Sequence, residues 1–186
     1  MGNRSIASCT LRLCALGGLL VWTSLAQAAP ENGFGLYVGA IHSNDSSLYG
    51  TSRGGDVRAD MQLMANDQWS LSPYLDMSFE NSDMSIGSSG TTYSVVNGIA
   101  GLQARRWFDG GMFIGGQYFF HDLLLRNGGT VQSSSYGPAF GLAAGWEGES
   151  QWSVLVEWNA LEGQGFSWSS TNDRSDVRIL VGYHWY

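Results

Sequence analysis

The chain has 186 residues and a formal net charge of −7, with 16 acidic residues against 9 basic ones, all arginine. That balance excludes the basic footprint a nucleic acid needs, and the length suits one domain. The first segment, MGNRSIASCTLR, carries Arg4 and Arg12 and no acid. LCALGGLLVW follows, too short to cross a bilayer as a stable helix, and Ala26 and Ala28 form an A-x-A frame. Together these predict a secretory signal peptide over residues 1–28, leaving a domain of residues 29–186. Cys9 and Cys14 both lie in the signal, so no disulfide is expected in the mature chain. Cys14 follows Leu13 rather than a small residue, which disfavours lipidation.

From there the pattern changes to period two. GFGLYVGAI sets Phe34, Leu36, Val38 and Ala40 against Gly35, Tyr37 and Gly39. DVRADMQLM sets Val57, Ala59, Met61 and Leu63 against Asp56, Arg58, Asp60 and Gln62. LSPYLDMSFE sets Leu71, Leu75, Met77 and Phe79 against Ser72, Tyr74, Asp76 and Glu80. VNGIAGLQAR, MFIGGQYFFH, YGPAFGLAAGW, WSVLVEWNA and the final VRILVGYHWY alternate in the same way. Period two means strands with two different faces, here one greasy and one polar or small.

Eight strands of about ten residues, tilted, match the thickness of a bilayer. ANDQ, FDGG and EGESQ read as short turns. HSNDSSLYGTSRGG, NSDMSIGSSGT, LLLRNGGTVQSSS and LEGQGFSWSSTNDRS read as long polar loops. Turns on one side and loops on the other predict an all-β, eight-stranded antiparallel up-and-down transmembrane β-barrel with both termini periplasmic. Trp69, Trp107, Trp146, Trp152 and Trp185 fall beside the short turns or the C-terminus, as an aromatic girdle would; Phe79, Tyr118, Phe120 and Tyr136 would form the opposite one. A soluble barrel would instead turn its uncharged rows inward and expose Asp, Arg and Gly.

The whole mature chain resembles the small outer-membrane barrel class of Gram-negative bacteria, the group of OmpA membrane domains, OmpX and Opa proteins. The last strand, with Gly182, Tyr183, Trp185 and Tyr186, is similar to the C-terminal signal read by the barrel assembly machinery. The resemblance implies the outer membrane as location, its lipid and lipopolysaccharide as partners, and a monomer. Pro73 and Pro138 fall inside strands, where bulges or ladder defects are expected.

Side chains just fill an eight-stranded barrel. The inward rows would hold an ion-pair network of Asp56, Arg58, Asp60, Asp76, Glu157 and Arg178. Buried charges at this density must pair, so a plug is the first expectation and an ion path or proton relay the alternative. A pairing register whose residue numbers sum to 134 would set Arg58 opposite Asp76 and avoid Asp56 opposite Asp76. An Arg58–Asp76 pair is therefore expected, with Glu157–Arg178 as a second. Arg53, Arg126 and Arg174 lie near loop roots, as lipopolysaccharide contacts or as snorkelling side chains.

Catalysis would need a serine beside a histidine oriented by an acid. His42 and Ser43 alternate faces, as do His121 and Asp122, and His184 lies at the other end. The three histidines are scattered and the loop acids are dispersed, so no metal and no cofactor are expected. A non-enzymatic envelope or surface protein is the favoured function; a lipid-A-modifying enzyme or a narrow conduit is the alternative.

Overall fold

The computed structural model describes residues 31–45, 50–82, 93–127, 129–163 and 172–186. The signal-peptide expectation falls outside them. Eight strands follow in order: β1 Gly33–Asp45, β2 Gly50–Asn66, β3 Trp69–Ser82, β4 Tyr93–Trp107, β5 Met112–Asn127, β6 Thr130–Glu147, β7 Trp152–Gly163 and β8 Asn172–Trp185. Each pairs antiparallel with the next, and β1 pairs with β8 to close the barrel. Closure leaves no free edge around the wall, which is what lets a sheet sit in lipid.

One end of the barrel carries three tight turns together with the start of β1 and the end of β8. At the first turn Asn66 Oδ1 accepts from the amides of Gln68 and Trp69 at 2.9 and 3.0 Å. At the second, Gly110 and Gly111 take positive φ, and a Cβ on Gly111 would meet the Glu147 carbonyl at 2.0 Å. This is the turn end; the opposite one is the loop end.

The alternation is kept around the whole wall. The greasy rows face out, with Leu75, Phe120, Tyr136 and Leu142 each 60% or more exposed. Arg58, Arg105, Arg178, Tyr37, Phe119 and His184 point inward and are fully buried. An apolar outside around a polar inside inverts a soluble domain, and a bilayer is the solvent that tolerates it.

Three expectations are corrected. The strands run 12 to 18 residues rather than about ten, because polar hairpin ends keep pairing beyond the apolar belt. LLLRNGGTVQSSS is not a long loop: β5 runs on to Asn127 and β6 begins at Thr130, the two residues paired with each other, and Leu123 and Leu125 point inward onto Val95. Trp107 is not a girdle residue. It shares inward parity with Gln103 and Arg105, is buried, and donates its indole N–H to Ser70 Oγ at 2.9 Å. Trp69, Trp152 and Trp185 are exposed as a girdle requires, and Trp146 is half-buried.

The prolines make gaps rather than bulges. Opposite Pro73 the β2–β3 ladder skips from Asp60–Tyr74 to Leu63–Leu71 with its register kept. The β6–β7 ladder begins at Ala139, just past Pro138. The register shifts lie elsewhere, between Met64 and Asn66 and between Leu125 and Arg126.

Candidate functional site: the barrel lumen

The inward rows of facing walls meet on the barrel axis, and the charged residues among them form a layered network. At the turn end His184, on β8, lies between two acids. Its Nδ1 is 2.6 Å from Glu147 Oε2, and its Nε2 is 2.8 Å from the Tyr37 hydroxyl and 3.3 Å from Asp60 Oδ1. Asp60 also takes a hydrogen bond from Arg105, whose guanidinium donates to Gln62 at 2.9 Å and to Gln103 at 2.7 Å.

Arg58 forms the middle layer. It donates to Glu157 on the far wall and to Gln103 Oε1 at 3.0 Å, and it lies 3.7 Å from Asp60. Its guanidinium stacks 3.9 Å from the Tyr74 ring centroid. Gln103 and Gln117 carry the chain of bonds onward to Asn159, which donates to Asp176 Oδ1 at 2.8 Å.

Above them Arg178 gathers three carboxylates. It grips Asp176 with two nitrogens at 3.0 Å each, and its Nη1 lies 2.8 Å from Asp56 and 2.6 Å from Asp76. The Asp76 contact is an ion pair without hydrogen-bond angles, so neither Asp76 oxygen receives a donor among the described residues. Nearest the loop end, Glu80 accepts from Ser43, Ser52 and Ser78 at 2.6, 2.5 and 3.3 Å and from Arg174 at 2.6 Å.

The six residues expected to form the network all lie inside it, and the register is as expected: Arg58 stands opposite Asp76, and Glu157 opposite Arg178. The ion pairs are not. Arg58 binds Glu157 and Arg178 binds Asp76, so the partners are exchanged. A long guanidinium arm reaches the axis, where carboxylates of non-adjacent strands come within its grasp: Glu157 for Arg58, and Asp76 for Arg178.

The three arginines at loop roots separate. Arg174 has inward parity with Asp176 and Arg178; it is buried and held by Glu80, which removes it from headgroup contact. Arg126 faces out and donates to the Gly129 carbonyl at 3.1 Å. Arg53 faces out and is exposed. The network extends beyond those six, to Arg105, Asp176, Glu80 and His184 on the inward rows and to Glu147 and Arg174 at strand ends. Glu147 falls in the turn-like EGESQ although it continues the odd-numbered inward row of β6, and Arg174 falls in a loop-like stretch; parity extended by one or two residues finds both.

The histidine pairs do not assemble a nucleophile. His42 is exposed while Ser43 is buried, and His121 is buried while Asp122 is exposed. Among the described residues no group of three or more His, Cys, Asp or Glu side chains has a geometry that could hold a metal ion.

No family model matches the chain, and no curated protein matches its sequence. Solved structures do. The chain is similar to Ail, the attachment invasion locus protein of Yersinia pestis, solved in complex with the heparin analogue sucrose octasulfate. Identity is 10%, the match covers 84% of this chain and 100% of that one, and the TM-score is 0.58. It is also similar to Neisserial surface protein A, at 12% identity over 81% of this chain and 95% of that one, with a TM-score of 0.53. At these identities the likeness is one of fold, and it agrees with the strand order, the apolar belt and the polar lumen: the chain is a closed eight-stranded β-barrel of the outer-membrane type.

Proposed function

We propose that residues 29–186, freed of a signal peptide, form a non-enzymatic monomeric protein of the outer membrane. Both termini face the periplasm, and the lumen is a structural plug that braces the wall. Its role is then played by the outer surface and the loop end, in envelope integrity or surface interaction. The observation that carries this reading is the Arg58–Glu157 bond from β2 to β7, joined on either side to further ion pairs that span the bore. A conduit needs a continuous open track, whereas here large side chains meet on the axis and bond to one another. Conductance of the refolded protein in planar bilayers tests it. The expected result is a silent bilayer; discrete, ion-selective unitary currents would refute the plug. Mass spectrometry of lipid A from cells with and without the protein tests the non-enzymatic part, with identical lipid A expected.

A further inference from the structure

The register leaves a trough on the outward face of the barrel near the loop end. On one rung Ile179 of β8 stands beside Ala40 of β1, Ala40 beside Gly55 of β2, and Gly55 beside Phe79 of β3. All four face out and are exposed. The order is large, small, small, large, so the wall is recessed across two strands. The next rung towards the turn end brings Val181, Val38, Val57 and Met77, with no small residue, and closes the trough there. At its β8–β1 side, towards the loop end, the trough opens into a depression of about 380 Å³ lined by Ala40, Ile41, His42, Arg53, Gly54, Val177 and Ile179. That volume falls within the usual range of small-molecule sites, about 300–1,000 Å³.

The head of the trough is also where the outward surface changes character. On β1 the exposed row runs Phe34, Leu36, Val38, Ala40 and then His42 and Asn44; on β2 it runs up through Val57 and Gly55 to Arg53 and Thr51. His42 and Arg53 are directly opposite each other in the ladder, and Asn81 is the neighbour of Arg53 on β3. No carboxylate pairs with Arg53 among the described residues. An exposed guanidinium at the apolar–polar boundary, with no carboxylate partner among the described residues, suits a phosphate, which it can grip with two parallel N–H bonds. Below it, a bilayer does not leave a recess in a lipid-facing wall empty; a hydrocarbon chain enters it.

The geometry points to a binding site for a phosphorylated outer-leaflet glycolipid of the lipid A type. One acyl chain lies over Ala40 and Gly55 between Ile179 and Phe79, and a phosphate rests on Arg53 beside His42. This rests on the loop end facing outward, as proposed above. Gly55 makes the site separable from the fold, since a Cβ built there has only the Gly39 carbonyl nearby, at an ordinary 3.8 Å.

Native mass spectrometry of the refolded barrel in detergent tests the site, using lipid A, dephosphorylated lipid A and phosphatidylglycerol as probes. Wild-type protein should retain one lipid A in preference to the other two. Gly55→Phe, which fills the trough, and Arg53→Ser, which removes the phosphate contact, should each weaken retention about tenfold or more, the equivalent of one charge-assisted hydrogen bond. Leu142→Ala, an outward substitution on β6, should leave it unchanged. A gel shift between folded and boiled samples establishes that each variant is folded, and the exposed Arg53→Ser keeps the test decisive should Gly55→Phe not fold. Equal retention of all three lipids, or folded variants that retain lipid A as the wild type does, would overturn the proposal. So would a loss equally large in Leu142→Ala.

Discussion

Arg58 stands directly opposite Asp76 in the β2–β3 ladder, yet its guanidinium binds Glu157 of β7 on the other side of the bore. Asp76 in turn is held by Arg178 of β8, the ladder neighbour of Glu157. Two pairs of neighbours have exchanged partners. Adjacent inward Cβ atoms lie about 5 Å apart along the wall, but an arginine head projects well beyond its own Cβ. In so narrow a barrel that reach ends near the axis, where the residues of non-adjacent strands converge.

The layers differ in what a lost arginine leaves behind. Arg178→Gln strands Asp56, Asp76 and Asp176 together, and should cost at least the roughly 3–5 kcal/mol of a broken buried pair. Arg174→Gln strands only Glu80, which keeps its donors Ser43, Ser52 and Ser78. It should cost clearly less. Urea unfolding of both variants in lipid vesicles orders them, and equal losses would contradict the layering.

The tryptophans separate by their access to lipid. In single-tryptophan variants, brominated acyl chains should quench Trp69 and Trp152 and spare Trp107, which lies in the lumen against Phe113 with its N–H on Ser70. Replacing Trp107 by Phe should cost about 1 kcal/mol for the lost hydrogen bond. Strong quenching of Trp107 would place it outside the barrel.

Leucine-rich LLLRNGGTVQSSS shows why the loops were harder to read than the wall. Its Ser and Gly content is that of a loop, but hairpin pairing is made by backbone groups and does not require apolar side chains. Where a bilayer or a packed lumen imposes alternation, parity alone placed every member of the expected network on the correct face. Partner choice was not legible, because it depends on which walls converge at the axis, a property of barrel closure that no single strand carries. Parity did contain the inward positions of Trp107, Glu147 and Arg174; turn-like or loop-like neighbours obscured it.

The β5–β6 hairpin has a direct readout. Leu123–Leu125 stand opposite Ser133–Ser135 in the ladder, and the amides among them that bond across it should exchange slowly in hydrogen-exchange experiments, on the timescale of neighbouring ladder amides. Rapid exchange across the whole stretch would return it to a loop.

Two double-mutant cycles on the same arginine test the crossed lumen most directly. Arg58→Ala combined with Glu157→Ala should show strong coupling, with the double variant recovering part of the summed single losses, each on the order of 3–5 kcal/mol. Arg58→Ala combined with Asp76→Ala should be close to additive despite direct ladder opposition. Coupling that is large for Arg58–Asp76 and near zero for Arg58–Glu157 would contradict the exchange of partners and return the ion pairs to the wall.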